Sequence, residues 1–487
     1  MEKSVIIIGS GLGGLECGYI LAKKGFLVTI LEQAAKPGGC LQSFRRGGHV
    51  FDTGLHYVGG LDEGQSLRPF FEYFGLMDLP WRRMDPDCVD EIVIGEQSFP
   101  LASGHDSFVE RLAERFPAER NNLKEYVRFL QKIGDDIFKT FEGGNVVMNN
   151  LLGRSAYEYL NETIKNPLLR QVLSGAFMRM ELRETLPLYV FAQINDSFIQ
   201  SAWKLEGGGD RMVGRMVDSI TAMGGTVRTN AKVTSIKAVS GKVSEVEVNG
   251  SETLKAGWVI SDAHPAVTLS LVSDGLRKVY KERISALDNT FGVFTANICL
   301  KPGGMVCPDG NIFIHREGID LWHPDPSATE SVMVHFYPEA QGSVTHLDLL
   351  SPMSFTSGNE DDKYSLSTTG KMASSKGERY ESTKRWKLRE CLDLVSSRLP
   401  WLEGSIESVS TSTPLTYSRY TSTPQGSAFG IRHDWRTPLR TILSPRTPLK
   451  NLLFTGQSLN LHGLLGVSMT SILTCREILG KDFISLR

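Results

Sequence analysis

Three glycines near the amino terminus have the spacing of a dinucleotide-binding loop. Gly9, Gly11 and Gly14 fit the pattern G-x-G-x-x-G, and the acidic Glu32 follows further along the chain. In this pattern the first glycine permits a tight turn, the second lets backbone approach a pyrophosphate, and the third lets a helix pack against a strand. An acid in the position of Glu32 accepts hydrogen bonds from a ribose. The spacing therefore predicts a dinucleotide site.

The elements around this hexad are those that such a site requires. The β-branched run Ser4–Ile8 predicts a buried parallel strand before it. Apolar residues at helical spacing, with Gly25 as terminator, predict a helix after it, and residues 26–31 predict a second strand that ends at Glu32. A hexad alone is weak evidence in a chain with 48 glycines. Strand, hexad, helix, strand and acid in this order favour a dinucleotide site over an ordinary βαβ unit.

A second glycine pair and its surroundings favour FAD as the dinucleotide. Gly38 and Gly39, followed by Cys40, can lie along the pyrophosphate or the isoalloxazine. Residues 50–57 predict a strand that enters a loop close to this pair.

The carboxyl-terminal region predicts a second contact with the flavin. Residues 451–457 read as a buried strand that ends at Gly456, and residues 468–479 read as a terminal helix opened by Gly463, Gly466 and Val467. The N-terminus of this helix suits the ribityl or pyrimidine end of the flavin. The alternative is a βα unit that only completes the sheet. The expected cofactor-binding residues are Gly9, Gly11, Leu12, Gly13, Gly14, Glu32, Gln33, Gly38, Gly39, Cys40, Leu55, His56, Val233, Gly456, Gln457, Gly466 and Val467.

The middle of the chain predicts further elements of the same domain. Residues 212–223 predict a helix, residues 226–236 a strand with Val233 near the adenine, and a hairpin follows Gly241. The glycines at 207–209 do not follow a buried strand, so they are not a second dinucleotide fingerprint.

Bulk properties exclude several classes of protein. The 487 residues include 53 basic and 55 acidic ones, so nothing suggests a nucleic-acid partner. The seven cysteines are scattered without a C-x-x-C, which argues against a disulfide framework, a zinc site or a redox dithiol. The first strand begins at residue 4, so we expect no signal peptide, and no apolar run is long enough to span a bilayer. We expect a cytoplasmic protein without a metal, and a peripheral membrane contact stays open.

We expect an α/β fold of two domains. A discontinuous Rossmann-type FAD-binding domain with a parallel sheet takes residues 1–75, 203–275 and 435–487, and a substrate-binding domain takes 76–202 and 276–434. The second domain is expected to be helical over about 105–200 and to contain a mixed sheet, with strands near 291–300, 331–337 and 347–350. We further expect a surface loop at 354–384, a helix at 380–399 and a turn-rich run at 413–430. The apolar stripe in 105–141 is typical of core, and a lipophilic tunnel is its second interpretation.

Four segments resemble the superfamily of phytoene desaturases, carotenoid isomerases and flavin amine oxidases, and within it the retinol saturase branch. They are residues 32–44, 51–64, 413–430 and 451–466. The likeness extends nearly end to end. It implies an FAD enzyme that adds two hydrogens across one double bond of a conjugated polyene, such as a retinoid or carotenoid. Desaturases and amine oxidases usually carry arginine in the place of Cys40 and an acid in the place of Gln457. Both departures match the saturases and favour that branch.

Saturation of a C=C bond needs a hydride, most simply from flavin N5, and a proton from a nearby acid. The candidate acids are His56, Tyr57, Tyr417 and His462, in segments expected to converge on the flavin. Tyr57 and His56 are preferred because they follow the strand expected to end beside the isoalloxazine. For each candidate, a packed ring or a structurally hydrogen-bonded histidine is the alternative. With no second nucleotide domain, electrons come from a transient NAD(P)H or from a separate reductase.

Other functions stay open on the same scaffold. A polyene desaturase or cis–trans isomerase would act on the same substrates, and a flavin amine oxidase would produce peroxide from amines. A prenyl-binding protein of the Rab escort type would share the architecture without a flavin. The intact hexad with Glu32 argues against this last function.

Overall fold

The computed structural model describes residues 3–138, 150–303, 305–306, 309–325, 328–338, 343–354, 374–481 and 483–484. The strands are β1 Ser4–Ile8, β2 Leu27–Leu31, β3 Ser43–Arg46, β4 His49–Asp52, β5 Val58–Gly59, β6 Trp81–Arg83, β7 Asp90–Ile94, β8 Gln97–Leu101, β9 Ala202–Leu205, β10 Thr226–Arg228, β11 Val233–Val239, β12 Lys242–Val248, β13 Glu252–Leu254, β14 Trp258–Ser261, β15 Gly292–Leu300, β16 Met305–Val306, β17 Asn311–His315, β18 Ser331–Pro338, β19 Ser343–Met353, β20 Ile406–Ser412 and β21 Leu452–Phe454.

The helices lie between and after these strands. They are α1 Leu12–Lys23, α2 Arg68–Phe74, α3 His105–Arg115, α4 Arg120–Asp135, α5 Ala156–Thr163, α6 Pro167–Ser174, α7 Leu188–Gln200, α8 Asp210–Ala222, α9 Pro265–Leu271, α10 Lys278–Ser285, α11 Ser374–Ser396, α12 Leu402–Ser405, α13 Pro414–Thr421, α14 Pro438–Thr441 and α15 Gly463–Leu479. No described helix is both long enough and apolar enough to span a bilayer.

A five-stranded parallel sheet carries the glycine hexad, in the order β10-β2-β1-β14-β21. Alternate residues of β1 face two different cores. Val5 and Ile7 pack with residues of α1, α8 and α15, whereas Ile6 and Ile8 pack with the antiparallel sheet β11-β12-β13. Burial on both faces explains the unbroken apolar run of β1. The predicted Rossmann-type parallel sheet is confirmed.

The carboxyl ends of the parallel strands lie at one edge of this sheet. Gly9 follows β1, Glu32 follows β2, Asp262 follows β14, and Gly456 closely follows β21. In open α/β sheets, ligands bind at this edge. Residues distant in sequence are thereby brought to one place.

The single strand predicted over residues 226–236 is two strands in two sheets. β10 joins the parallel sheet beside β2, while β11 pairs antiparallel with β12. The chain turns at Asn230, whose φ is 52°, and Ala231 then donates its N–H to the Glu32 carbonyl at 2.8 Å. An asparagine tolerates this left-handed conformation, which ends the first strand. The hairpin predicted after Gly241 is the β11-β12 pair.

A mixed eight-stranded sheet forms the second layer, in the order β20-β15-β19-β18-β17-β7-β8, with β16 paired to β19. Its strands include those predicted near 291–300, 331–337 and 347–350. Helix α11 covers one face through buried Cys391, Leu394 and Val395. This helix begins at Ser374 and ends at Ser396, earlier at both ends than predicted. Residues 355–373 of the expected surface loop lie outside the described residues.

The helical part is divided more finely than the sequence pattern predicted. The run 105–141 breaks between α3 and α4, where Phe116 has φ −127° and ψ 62° ahead of Pro117. Proline disfavours a helical conformation in the residue before it, and residues 139–149 lie outside the described residues. Leu123, Leu130 and Ile133 of α4 are buried in the main core. The core interpretation of this stripe is therefore confirmed.

A small antiparallel sheet, β5-β9-β6, joins segments from both expected domains. The proposed boundary at 75/76 separates β5 from β6, and the one at 202/203 falls within β9. The division into domains remains a proposal. The run 207–209 follows β9, a strand of this antiparallel sheet. The turn-rich run at 413–430 contains a helix that was not predicted, α13, which starts with a capping box between Thr413 and Thr416.

Candidate active site

The glycine hexad forms a tight turn between β1 and α1. Gly9 has φ +94°, a conformation that side chains rarely adopt, and its N–H donates to the Leu31 carbonyl at 2.8 Å. A Cβ on Gly14 would collide with the Gly9 carbonyl oxygen. Helix α1 has no side-chain cap at its N-terminus, Gly11. Its first N–H groups are thus directed at whatever lies above the turn.

Segments from both ends of the chain close around this turn. Gly38 donates its N–H to the Ser10 carbonyl at 3.0 Å, and a Cβ on Gly39 would lie 3.4 Å from the Gly11 Cα. A Cβ on Gly13 would lie 3.0 Å from the Gly456 Cα. The three predicted glycine segments therefore meet in close backbone contact, and we call this cluster the glycine cradle. It consists of Gly9, Gly11, Gly13, Gly14, Gly38, Gly39 and Gly456.

Glu32 lies at the end of β2, beside the cradle, with 8% of its surface exposed. Its Oε2 accepts hydrogen bonds from Ser10 N at 3.1 Å and Ser10 Oγ at 2.6 Å, and its Oε1 accepts one from Ala34 N at 2.8 Å. A carboxylate offers about four acceptor positions. One position is therefore left for a ligand hydroxyl.

The other expected adenosine residues divide between interior and surface. Val233 is buried with Ile8 and Leu31, against the ends of β1 and β2. Gln33 is exposed, and its Nε2 donates to Ser422 Oγ at 2.9 Å. Leu12 and Leu55 are buried in the main core.

Asp262 reaches into the glycine cradle, which the sequence analysis did not anticipate. Backbone N–H groups of Gly14 and Gly11 donate to its carboxyl group. A Cβ on Gly13 or Gly456 would lie 2.5 Å from its Oδ1. Burial, and to a lesser degree the nearby Glu32, raise the pKa of Asp262 to about 7. The cradle thus already holds an acidic group through the N–H donors that bind phosphates in such turns.

This arrangement fits a dinucleotide cofactor. The cradle is shaped so that a single Cβ would fill it, and its donors suit an oxyanion. Gly11, Gly39 and Gly456 would hold the pyrophosphate, and Glu32 a ribose. The position of Asp262 directly after β14 is the signal that could have identified it, because side chains at this edge of a parallel sheet face the ligand.

Cys40 directly follows the glycine pair of the cradle. Its side chain is accessible to solvent, although the surrounding protein raises the pKa of its thiol to about 11 by burial, and we call this position the recess. A Cβ on the exposed Gly54 would lie 3.1 Å from the Cys40 carbonyl oxygen. Burial also raises the pKa of Tyr417, whose hydroxyl lies 2.8 Å from Thr295 Oγ1 and which interacts with Cys40 and Asp348. This recess is where the flavin ring is expected.

The carboxyl-terminal motif lies against the same region. Gln457 Nε2 donates to the Ala428 carbonyl at 3.2 Å. Gly466 and Val467 are buried in α15, and His462 is the N-cap residue that precedes this helix. The ring of His462 stacks on Phe429 at 4.3 Å, and its Nε2 donates to the Arg179 carbonyl at 2.9 Å. Burial lowers the pKa of His462 to about 4.

Tyr57 is bound into a buried ion pair. Its hydroxyl accepts a hydrogen bond from Arg179 Nε at 2.9 Å and donates one to Asp90 Oδ2 at 3.2 Å. Arg179 also pairs directly with Asp90, and the side chains of both are almost fully buried. Burial raises the pKa of Tyr57 further above its ordinary value. Sequence reasoning missed both Arg179 and Asp90, because no local pattern marks them.

His56 lies next to Tyr57 but in a different environment. Its Nδ1 is 4.0 Å from Asp348 Oδ2, and 11% of its side chain is exposed. Its ring centre is 5.0 Å from that of His335. Burial, and secondarily the charge of Lys204, lower the pKa of His56 to about 4. Of the four candidate acids, Tyr57 and His462 are linked through Arg179, whereas His56 and Tyr417 both neighbour Asp348.

A cavity with an empty volume of about 1040 Å³, part of it open to solvent, lies between the mixed sheet and the helical part. Apolar residues of its wall include Phe177, Leu182, Phe291, Ile319, Leu321 and Met353. A smaller cavity reaches His462, and four residues line both: Glu181, Arg183, Thr290 and Arg432. Arg432 Nε donates to Glu181 Oε2 at 2.6 Å, so charge on this shared wall is paired.

Comparison with known proteins agrees with the fold. Residues 7–74 match the model of the NAD(P)-binding Rossmann-like domain. Among solved structures, putrescine oxidase bound to putrescine superimposes with a TM-score of 0.64 and 15% sequence identity, covering 98% of this chain and 99% of that chain. The chain therefore has the fold of putrescine oxidase.

Curated relatives extend the likeness to the whole sequence. The chain is 26% identical to all-trans-retinol 13,14-reductase of Danio rerio, covering 98% of this chain and 86% of that protein. It is 24% identical to 4,4'-diaponeurosporene oxygenase of Staphylococcus aureus strain Mu50, covering 54% of this chain and 56% of that protein. The predicted resemblance is confirmed, and so is the prediction that the chain is an oxidoreductase.

Proposed function

We propose that this chain, similar over nearly its whole length to a retinol reductase, is an FAD-dependent enzyme that saturates a C=C bond of a lipophilic conjugated polyene. The observation that carries the proposal is the cavity with an apolar side formed by Phe177, Leu182, Phe291, Ile319, Leu321 and Met353, which shares a wall with the smaller cavity at His462. A retinoid or a carotenoid end is long, apolar and uncharged, and these apolar side chains would pack against it.

The chain's own residues would bind and orient both reactants. The glycine cradle and Glu32 hold the cofactor, and the recess at Cys40 and Gly54 admits its ring. Bound FAD, once reduced, supplies the hydride. The electrons come from a transient NAD(P)H or from a separate reductase. The small Cys40 permits close approach to the ring.

His56 is the proton donor that the geometry favours. The Tyr57 hydroxyl is already engaged by Arg179 and Asp90. The His462 Nε2 donates to a backbone carbonyl. Among the ring nitrogens of His56, in contrast, the buried Nδ1 has no hydrogen-bond partner among the described residues. The ring can therefore carry a proton at Nδ1 without breaking a hydrogen bond there, which leaves the proton at Nε2 for delivery to the substrate.

Anaerobic reoxidation of the flavin tests this function. The purified protein, loaded with FAD and reduced by dithionite, is mixed with individual retinoids and carotenoids. We expect the flavin absorbance to return, the polyene absorbance to fall, and the product to gain about two mass units, as hydrogenation requires. His56→Gln should slow this reoxidation, and the exposed Glu63→Gln is the matched control.

Other outcomes would identify a different reaction. If the oxidised enzyme removes two hydrogens from a polyene, the protein is a desaturase. If the absorbance spectrum of the polyene shifts without a change in its mass, the protein is an isomerase. Formation of peroxide from amines would indicate an amine oxidase, a test suggested by the shared fold of putrescine oxidase. Each of these results would overturn the saturase proposal.

A further inference from the structure

Asp348 is a buried carboxyl group in the middle of the mixed sheet. It lies on β19, directly opposite Asn297 on β15 and opposite His335 on β18. Asn297 Nδ2 donates to its Oδ1 at 2.6 Å, and the Tyr337 hydroxyl donates to its Oδ2 at 2.6 Å. Two short hydrogen bonds from neighbouring strands fix the carboxyl plane. Asp348 therefore cannot rotate freely.

The Oδ2 of this fixed carboxyl group faces His56. The distance between Asp348 Oδ2 and His56 Nδ1 is 4.0 Å, which is long for an ion pair. Nδ1 is fully buried and has no hydrogen-bond partner among the described residues. A buried nitrogen without a partner is costly unless something compensates it. A small movement of the ring would bring Nδ1–H into contact with Asp348.

We propose that Asp348 is the positioning residue of His56, holding the Nδ1–H of its protonated ring so that Nε2 delivers the proton to the substrate. The inference rests on the function proposed above. In the step, the Nε2–H bond breaks and a C–H bond forms at one carbon of the double bond. Bound FAD, reduced by the external electron donor, would supply the hydride that the other carbon needs, so both electrons come from that donor. The ring of His56 returns to its neutral form.

The other charged and titratable groups around His56 oppose its protonation or are neutral. Lys204 on β9 lowers the pKa of His56 by its charge, and donates its Nζ to the Asp309 carbonyl at 2.9 Å and the Phe336 carbonyl at 3.2 Å. His335 on β18 is held neutral by burial, and its Nδ1 donates to Asn311 Oδ1 at 2.7 Å. Asp52 at the end of β4 faces Asp348 rather than His56. Burial raises the pKa of Asp348 itself to about 7, so Asp348 and His56 hold one proton between them near neutral pH, and the positioning role requires that this proton lies on His56.

An NMR titration tests this role independently of any substrate. The full chain is labelled with ¹⁵N-histidine and loaded with oxidised FAD. The wild type and Asp348→Asn are each titrated with pH. The histidine signal that is missing from the spectrum of His56→Gln belongs to His56. An opposite charge at this distance shifts a pKa by roughly 1 to 3 units. We expect the midpoint of His56 to fall by about one pH unit or more in Asp348→Asn.

Two further variants separate the charge from the surrounding structure. Tyr337→Phe removes a hydrogen bond to Asp348 but keeps its carboxyl group, so the His56 midpoint should move much less. Asn297→Ala loosens the carboxyl group without removing it and should give an intermediate fall, which keeps the proposal testable if Asp348→Asn does not fold.

The pH profile of reoxidation by a polyene gives the matching kinetic readout. The alkaline limb should move to lower pH in Asp348→Asn, because the charged ring has lost its stabilising partner. An unchanged His56 midpoint in both Asp348→Asn and Asn297→Ala would overturn the role of Asp348 while leaving the saturase function intact. A shifted midpoint in a protein that reduces no polyene would overturn the saturase function and the delivery step with it.

Discussion

The carboxyl group of Asp262 accepts a hydrogen bond from the backbone N–H of Gly14, the last glycine of the hexad. A side chain from the fourth strand of the sheet order thereby lies in the turn between β1 and α1. FAD would bring a pyrophosphate with two negative charges to the same donors. Cofactor binding and the charge of Asp262 must therefore influence each other.

Asp262→Asn is expected to tighten FAD binding and to weaken its pH dependence. The pKa of Asp262 is raised to about 7, so the group is largely neutral at pH 6 and charged at pH 8, where it repels the phosphates. Other acidic groups lie nearby. Glu16, whose pKa is raised to about 8, and Cys40, whose pKa is raised to about 11, stay largely protonated below pH 7. Glu32 adds a negative charge beside Asp262. Wild-type affinity should fall by about tenfold from pH 6 to pH 8, the effect of roughly one pKa unit of coupling.

Quenching of flavin fluorescence by the apoprotein measures this affinity. Asp274→Asn, at an exposed position on the same segment, is the control. Equal affinities of wild type and Asp262→Asn at pH 8 would show that the carboxyl group does not share the phosphate donors.

Glu32→Ala is expected to weaken FAD retention without unfolding the chain. The carboxylate receives hydrogen bonds from Ser10 and Ala34, and its remaining acceptor position is assigned to a ribose hydroxyl. Hydrogen bonds to a charged group contribute about 1.5–3 kcal/mol, which corresponds to roughly 10- to 100-fold in affinity. Flavin retained after gel filtration measures the effect, with circular dichroism as the check on folding. If Glu32→Ala holds FAD as tightly as the wild type, the ribose lies elsewhere.

Tyr57→Phe should slow polyene reduction while leaving FAD bound, and it should slow it less than His56→Gln. The hydroxyl that is lost lies between Arg179 and Asp90 and helps to hold this buried pair in place. Its removal leaves the ion pair itself intact. Stopped-flow reoxidation of the reduced enzyme compares the two variants. An unaffected rate removes Tyr57 from the list of proton donors, and a slower rate in Tyr57→Phe than in His56→Gln would reverse our order of preference.

Glu16→Gln is expected to stabilise the protein, and more strongly at high pH. Burial in α1 raises the pKa of Glu16 from 4.5 to about 8, although Ser468 Oγ donates to its Oε1 at 2.6 Å. Between these two values the folded chain binds a proton that the unfolded chain has released, so folding stability falls as pH rises through this window. Glutamine stays neutral and removes this penalty.

The gain in unfolding free energy should be larger at pH 8 than at pH 5, by about 3.5 kcal/mol, since one pKa unit corresponds to 1.36 kcal/mol. Urea unfolding of the apoprotein at both pH values measures it, and Glu63→Gln on the surface should show no such trend. A gain independent of pH would mean that Glu16 is not held protonated.

Local sequence patterns were sufficient to predict the main elements of the cofactor-binding half of the molecule. The apolar run Ser4–Ile8, the hexad and the late strand before Gly456 each carry their information within a few neighbouring residues. Helical spacing and glycine positions depend on backbone geometry that is short-ranged. The meeting of the three glycine segments could be predicted as well, because the carboxyl ends of parallel strands lie at one edge of the sheet.

The boundaries of several elements depended on longer-range contacts. The run 226–236 has the composition of one strand, yet Glu32 and Ala34 hold the backbone of Ala231 and Asn230 and divide it between two sheets. The helix α13 was hidden in a polar run because its stability comes from a capping box and from packing against β15 and β20 rather than from periodicity.

What the sequence by itself determined is the dinucleotide turn, the class of fold and the set of candidate acids. Only the tertiary structure decided that Tyr57 is bound to Arg179 and Asp90, that His56 faces Asp348, and that Asp262 enters the cradle. These partners are separated by tens to hundreds of positions along the chain. A side chain's protonation and hydrogen bonding are set by burial and by neighbours within a few ångströms, and only the folded chain brings those neighbours together.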